Sequence, residues 1–253
     1  MPGPRPTTEP SADAGGSSVS PTGPALVGLA HGSRDAAGTR AVEQLLELVG
    51  TSGGVDARPA FLDLAEPDLT TTAAALVAAG HRSAVVVPLL FTVAFHATVD
   101  VPEAVAEATA ATGLEIVLSD ILGTGADTLE LVGASLARSA VPAQHDVLLY
   151  AVGSSNAAAN DAVHDLAARL DRQRPGRVRA AFATTDPRTA AVLPELGDPV
   201  ALLPLFLSPG LLLGPLATLA RERGWPLLPP LGDLAAPMVL RRYVTARQRS
   251  GLR

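Results

Sequence analysis

The chain predicts an α/β protein made of two similar units, each a parallel sheet flanked by helices. Three observations carry that expectation. Short apolar runs alternate with helically spaced segments along most of the length. The runs end at Gly, Pro or small polar residues, as buried parallel strands do where they hand over to a helix. The pattern also occurs twice. Ala30-His31-Gly32-Ser33-Arg34-Asp35 returns as Ala151-Val152-Gly153-Ser154-Ser155-Asn156, and Val87-Pro88-Leu89-Leu90-Phe91-Thr92 returns as Leu203-Pro204-Leu205-Phe206-Leu207-Ser208.

The elements follow in order. Residues 1–24 are rich in Pro, Gly, Ser and Thr without an apolar run, and read as a disordered tail, not an export signal. The first unit, residues 25–140, opens with a strand at Ala25–Ala30 and a helix at Thr39–Val49. A strand at Ala57–Leu62 and an Ala-rich helix at Leu69–Ala79 follow, with Asp68 at its start and Gly80 at its end. Ser83–Leu90 is the clearest strand. Pro102 suits the first turn of a helix that Gly113 closes; Glu115–Ser119 and Asp127–Arg138 complete the unit. The second unit, residues 146–248, repeats the plan with strands at Asp146–Ala151, Arg177–Phe182 and Val200–Phe206. Its helices are expected at Ala158–Leu170, Arg188–Leu196, Leu216–Arg223 and Leu234–Arg247, with a short strand at Leu227–Leu228.

Composition narrows the function. With 253 residues and 47% apolar content the chain can build a sizeable core. It has no Cys, which excludes disulfides and thiolate chemistry and accords with a reducing cytoplasm. It has no Lys, which excludes Schiff-base catalysis. A net charge of −6 with 3% aromatic residues argues against a nucleic-acid partner. The uncharged stretch Pro199–Ala220 is long enough to span a bilayer, but four prolines interrupt it, and it reads as strand, loop and helix start.

Topology then gathers the polar residues. Ligands of an open parallel sheet bind beyond the carboxyl ends of its strands. His31 follows the first strand, Asp63 the second, and His96 lies in the loop after the third. Two imidazoles and a carboxylate on one edge suit a divalent first-row metal with open coordination positions. Glu66 is a substitute ligand. Each histidine taken alone reads first as a structural one, but both positions are apolar in the second copy, where Val152 and Leu212 stand, with Thr184 at the place of Asp63. That asymmetry points to one functional centre, in the first unit. Gly32 and Ser33 expose backbone N–H groups that could cradle an anion, and Arg34 is a candidate partner for a substrate carboxylate. Asp35 reads as a helix cap. Asp100 reads as a cap or as a second support for His96. His81, His145 and His164 match no repeated position and are taken as structural or surface residues.

These residues also resemble a known family. His31-Gly32-Ser33-Arg34-Asp35, Phe61-Leu62-Asp63-Leu64-Ala65-Glu66-Pro67, and Val87-Pro88-Leu89-Leu90 leading to His96 and Asp100-Val101-Pro102 are similar in order and spacing to the sirohydrochlorin chelatases, which are class II tetrapyrrole chelatases. The resemblance runs from about Leu26 to Tyr243. It implies a two-domain long form with an active-site cleft between the halves and a degenerate second half. It further implies insertion of Fe²⁺ or Co²⁺, as substrate, into sirohydrochlorin for siroheme or cobalamin synthesis, with no organic cofactor. His31 and His96 would hold the metal and accept protons, with Asp63 or Glu66 as third ligand and Gly32, Ser33 and Arg34 on the macrocycle. The chain departs from the family at Asp63, where Glu is usual, and at Phe95, where a small residue is common. A non-catalytic metal or tetrapyrrole carrier on the same fold is the alternative, and a two-lobed small-molecule receptor a more distant one. The oligomeric state is open.

Overall fold

A computed structural model describes residues 23–93 and 99–252. Most of the tail expected at 1–24 therefore lies outside the described residues, as do Phe95 and His96. The first unit runs β1 (Ala25–Ala30), α1 (Ala36–Gly53), β2 (Ala57–Phe61), α2 (Leu69–Ala78), β3 (Ser83–Pro88), α3 (Val101–Thr112), β4 (Glu115–Leu118) and α4 (Ala126–Arg138). The second runs β5 (Asp146–Ala151), α5 (Ala157–Asp171), β6 (Val178–Phe182), α6 (Thr189–Val192), β7 (Val200–Pro204), α7 (Gly214–Arg223) and α8 (Ala236–Ser250). All strand pairs are parallel, in the orders β2-β1-β3-β4 and β6-β5-β7. Leu227 forms a single parallel bridge with Leu202 of β7, at the place β4 holds in the first unit. The protein is thus an α/β molecule of two repeated units.

Strand periodicity decides which face meets which helices. Leu26 and Ala30 of β1, Val85 and Val87 of β3, and Val147, Leu149 and Ala151 of β5 all enter one continuous core between the two sheets. The alternate residues Ala25, Val27 and Leu29 face outward beneath α2 and α3, joined by Val86. In the second unit Leu148 and Tyr150 face outward towards α6 and α7. Each sheet is therefore buried on both faces, which is why its strands read as unbroken apolar runs.

The final helices trade places. α8 packs on α1, β3 and β4 of the first unit, while α4 lies against α5 of the second. Arg242 of α8 fixes the exchange: it donates to the carbonyls of Ile121 and Leu122 at 2.8 Å each and meets Asp127 at 3.0 Å. Tyr243 is buried and donates to the Pro24 carbonyl at 2.7 Å.

One expectation needs correction. The helix predicted over Arg188–Leu196 is a single α-turn followed by a 3-10 turn at Leu193–Glu195. Pro194 has no N–H to continue the α pattern, so the backbone tightens there. The uncharged stretch beginning at Pro199 is β7, a loop, a 3-10 turn at Leu211–Leu213 and the start of α7. Among the described residues no helix is long and apolar enough to cross a membrane.

At the edge where the strands begin, Asp56 binds Arg58 at 2.7 Å and buried His81 at 3.0 Å. The Arg58 hydrogen bond holds the Asp56 carboxyl below the ordinary carboxylate range, opposed by partial burial and aided by the bond to His81. A carboxyl depressed on folding stabilises fully above its unfolded value, about pH 4, and loses that contribution as pH falls through its folded value. Asp56→Asn is expected to cost about 1–2 kcal/mol at neutral pH, since the group is partly solvated. The wild-type advantage over this variant in urea unfolding should shrink below about pH 4.

Candidate metal and substrate site

The β1 and β2 ends are pressed together. The Leu62 and Asp63 N–H groups donate to the Ala30 and His31 carbonyls at 2.9 and 3.0 Å, extending the ladder past both strands. Gly32 turns the chain at φ +98°, and a Cβ there would lie 1.8 Å from the Asp63 carbonyl oxygen. Only glycine fits, and its absence of side chain is what lets the His31 and Asp63 loops touch. Asp63 is exposed and its Oδ1 accepts from the Leu64 N–H at 2.7 Å. Leu64 is the sole non-glycine with positive φ among the described residues, at +61°, a conformation that costs about 1–2 kcal/mol for such a side chain. This local strain sits beside the Asp63 carboxylate.

The remaining candidates frame the same edge. Ser33 Oγ accepts from the Asp35 N–H at 3.0 Å, and Asp35 caps α1 by accepting from the Ala37 N–H at 2.9 Å. Arg34 is exposed and makes no ion pair with any described residue, so its guanidinium is available to an anion. Glu66 is exposed, and its Oε2 accepts from the Asp68 N–H at 3.2 Å. Asp68 caps α2 through the Thr71 N–H. Asp100 immediately precedes α3, but its side chain makes no capping bond to that helix and its backbone is already helical. The capping role read from the sequence is therefore not the one it performs. The structure brings His31, Gly32, Ser33, Arg34, Asp63 and Glu66 to one edge; His96, between β3 and α3 in the sequence, lies outside the described residues. Among the described residues no three His, Asp or Glu side chains already form a metal cluster.

The second unit repeats the backbone without the polar groups. The Thr184 N–H donates to the Val152 carbonyl at 2.9 Å, as Asp63 does to His31, and Gly153 turns the chain at φ +87°. Thr184 Oγ1 folds back onto the same carbonyl at 2.8 Å, so it is not presented outward as a ligand. Arg188 donates to the carbonyls of Ala183 and Thr184 and stiffens this loop.

The two edges face each other through reciprocal contacts. The Asn156 side chain, after β5, donates to the Val93 carbonyl, after β3, at 3.1 Å. The Pro209 carbonyl, after β7, lies against Gly38 at the start of α1, where a Cβ would come within 2.8 Å of it. Loop β5–α5 thus meets loop β3–α3, and loop β7–α7 meets loop β1–α1, as a pseudo-two-fold relation requires. Neither contact was legible in the sequence, although the matching Asn156 and Asp35 positions were a signal that these loops correspond.

Histidines without a repeated counterpart lie away from this edge or serve packing. His81 belongs to the Asp56 cluster, and His164 meets the Phe182 ring edge-on with centroids 5.2 Å apart.

A comparison with solved structures finds SirB from Bacillus subtilis with Fe³⁺, 24% identical over 90% of this chain and 98% of that one, with a TM-score of 0.76. The sirohydrochlorin chelatase SirB from Bacillus subtilis subspecies spizizenii in complex with cobalt is 25% identical, covering 90% and 97% of the two chains with a TM-score of 0.72. CbiX, the terminal enzyme for siroheme biosynthesis in denitrifying bacteria, is 21% identical, covering 88% and 99% with a TM-score of 0.64. No curated protein sequence matches the chain. The CbiX family model matches residues 25–139 and 146–215, both repeated units, and the chain accordingly belongs to the CbiX family.

Proposed function

We propose that the protein is a chelatase that inserts a divalent metal, Fe²⁺ or Co²⁺, into a sirohydrochlorin-type tetrapyrrole for siroheme or cobalamin synthesis. The observation that carries this reading is the contact between the His31 and Asp63 loops on an edge that the other unit faces. Relatives of the same fold are described with iron and with cobalt. His31 and His96 hold the metal, with a carboxylate from Asp63 or Glu66, and open positions remain for the ring nitrogens. Asp100 supports His96 from the start of α3, consistent with its side chain not capping that helix. Arg34, with the N–H groups of Gly32 and Ser33, takes the acidic substituents of the macrocycle. Two pyrrole protons leave as the metal passes to the ring nitrogens, and His31 and His96, each released from the metal with one free ring nitrogen, take one proton apiece near neutral pH. The second unit, residues 146–248, closes the cleft without supplying ligands.

An anaerobic assay with sirohydrochlorin and Fe²⁺, Co²⁺ or Ni²⁺, followed by absorbance, tests the proposal. Catalytic conversion with Fe²⁺ or Co²⁺ is expected; a colour change that stops at one equivalent of protein would instead make the chain a carrier. The two carboxylates separate in the same assay. Asp63→Asn is expected to lower insertion at least tenfold, because Asp63 adjoins the His31 loop, and Glu66→Gln to lower it less. Equal losses would make both ligands.

Protonated imidazole cannot bind a metal, so activity should fall on acidification through the ordinary histidine range, about pH 6.5. An unchanging rate across about pH 5 to 8 would remove histidine from the mechanism.

A further inference from the structure

The second unit carries apolar side chains where the first carries ligands, and they are exposed. Among the described residues, five of the ten exposed large hydrophobic side chains lie in loops that follow strands: Leu64, Val93, Val152, Leu211 and Leu212. Leu211 is 76% exposed and Val93 53%. Solvent-facing leucine and valine grouped on one edge mark a surface that something apolar covers. Val152 holds the place of His31 and Leu212 that of His96, so the group continues the candidate site across the cleft. The loop bearing the leucines is not loose. The buried Tyr150 hydroxyl donates to the Leu212 carbonyl at 3.2 Å, and its ring stacks on Phe206 with centroids 6.1 Å apart. The preceding residues are pinned to the other unit, with the Pro209 carbonyl against Gly38 and Gly210 beside Ser33.

From this arrangement we infer that Val152, Leu211 and Leu212 form a rigid apolar platform for the flat face of the macrocycle, with Tyr150 as the positioning residue that sets its height. The inference rests on the function proposed above and gives the second unit a part in binding, in which it holds the ring by its face while the first unit holds the metal. An extended conjugated ring has an apolar face and a charged rim, which matches leucine and valine on one wall and an available Arg34 on the other. Replacing ligand positions by apolar ones removes a competing metal site and adds burial for the ring.

The test measures two affinities on each protein: metal-free sirohydrochlorin by absorbance titration and Co²⁺ by calorimetry. Leu211→Ser and Leu212→Ser are expected to weaken sirohydrochlorin binding roughly tenfold, with Co²⁺ binding unchanged. Tyr150→Phe keeps the stacked ring and loses only the bond to the loop; it is expected to raise KM for the tetrapyrrole roughly threefold with kcat held, as one neutral hydrogen bond allows. Leu211 projects into solvent, so its replacement leaves the core intact, and Co²⁺ affinity reports on that directly. If both serine variants bind sirohydrochlorin as wild type does while wild type metallates it, the platform is wrong and the chelatase stands. If the serine variants lose Co²⁺ and sirohydrochlorin binding together, the leucines are structural and the platform is again wrong. If wild type does not bind sirohydrochlorin, the chelatase reading fails and takes the platform with it.

Discussion

His31→Ala and His96→Ala are each expected to reduce metal insertion by more than about a hundredfold, because each removes an imidazole for which the second unit offers no substitute. The equivalent positions there are Val152 and Leu212, and the Thr184 hydroxyl is already bonded to a carbonyl. His31→Ala keeps the backbone contact that organises this edge, which is made by the His31 carbonyl. His164→Gln is the control: it removes a histidine that packs at the edge of Phe182 and should leave insertion unchanged. Comparable activity of either alanine variant and wild type, under anaerobic conditions with excess metal, would reject a shared histidine site.

Gly32→Ala is expected to be as damaging by a different route. The added Cβ would sit 1.8 Å from the Asp63 carbonyl oxygen, and φ +98° is unfavourable for any L side chain. Relief requires the two loops to separate, which breaks the Asp63-to-His31 hydrogen bond and moves both candidate ligands. A loss of about 3 kcal/mol or more in stability is expected, with loss of insertion even in the fraction that folds. Gly54→Ala isolates the conformational part, because Gly54 at φ +61° ends α1 with nothing within 4 Å of a Cβ. That variant should lose only about 1 kcal/mol and keep its activity. Equal unfolding midpoints for the two variants would show that the loop contact contributes nothing.

The sheets were legible because their strands are buried on both faces and end abruptly. Ala25–Ala30 and Asp146–Ala151 match the observed bounds of β1 and β5, each followed within two residues by a glycine at positive φ. The helix read over Arg188–Leu196 failed at Pro194, where local spacing looked helical but the missing N–H forbade it. Asp100 was read through its neighbour Pro102, yet a carboxylate before a helix caps it only when the backbone is extended there, and this one is not. The crossing of α4 and α8 had no local signature at all. An amphipathic stripe announces that a helix will be covered, not by which sheet, and Arg242 reaches its partners more than a hundred positions away. Of the candidate site, the strand-end rule found the residues, while the tightness of the His31 and Asp63 loops came from a backbone approach that only coordinates reveal.

Because each unit is roofed by the other's last helix, the molecule has no free hinge between its lobes. A clamshell swing would pull α8 off β3 and β4 and strip Arg242 from the carbonyls of Ile121 and Leu122. Any widening of the gap between the lobes would therefore have to come from sliding of packed helices and loops by an ångström or so.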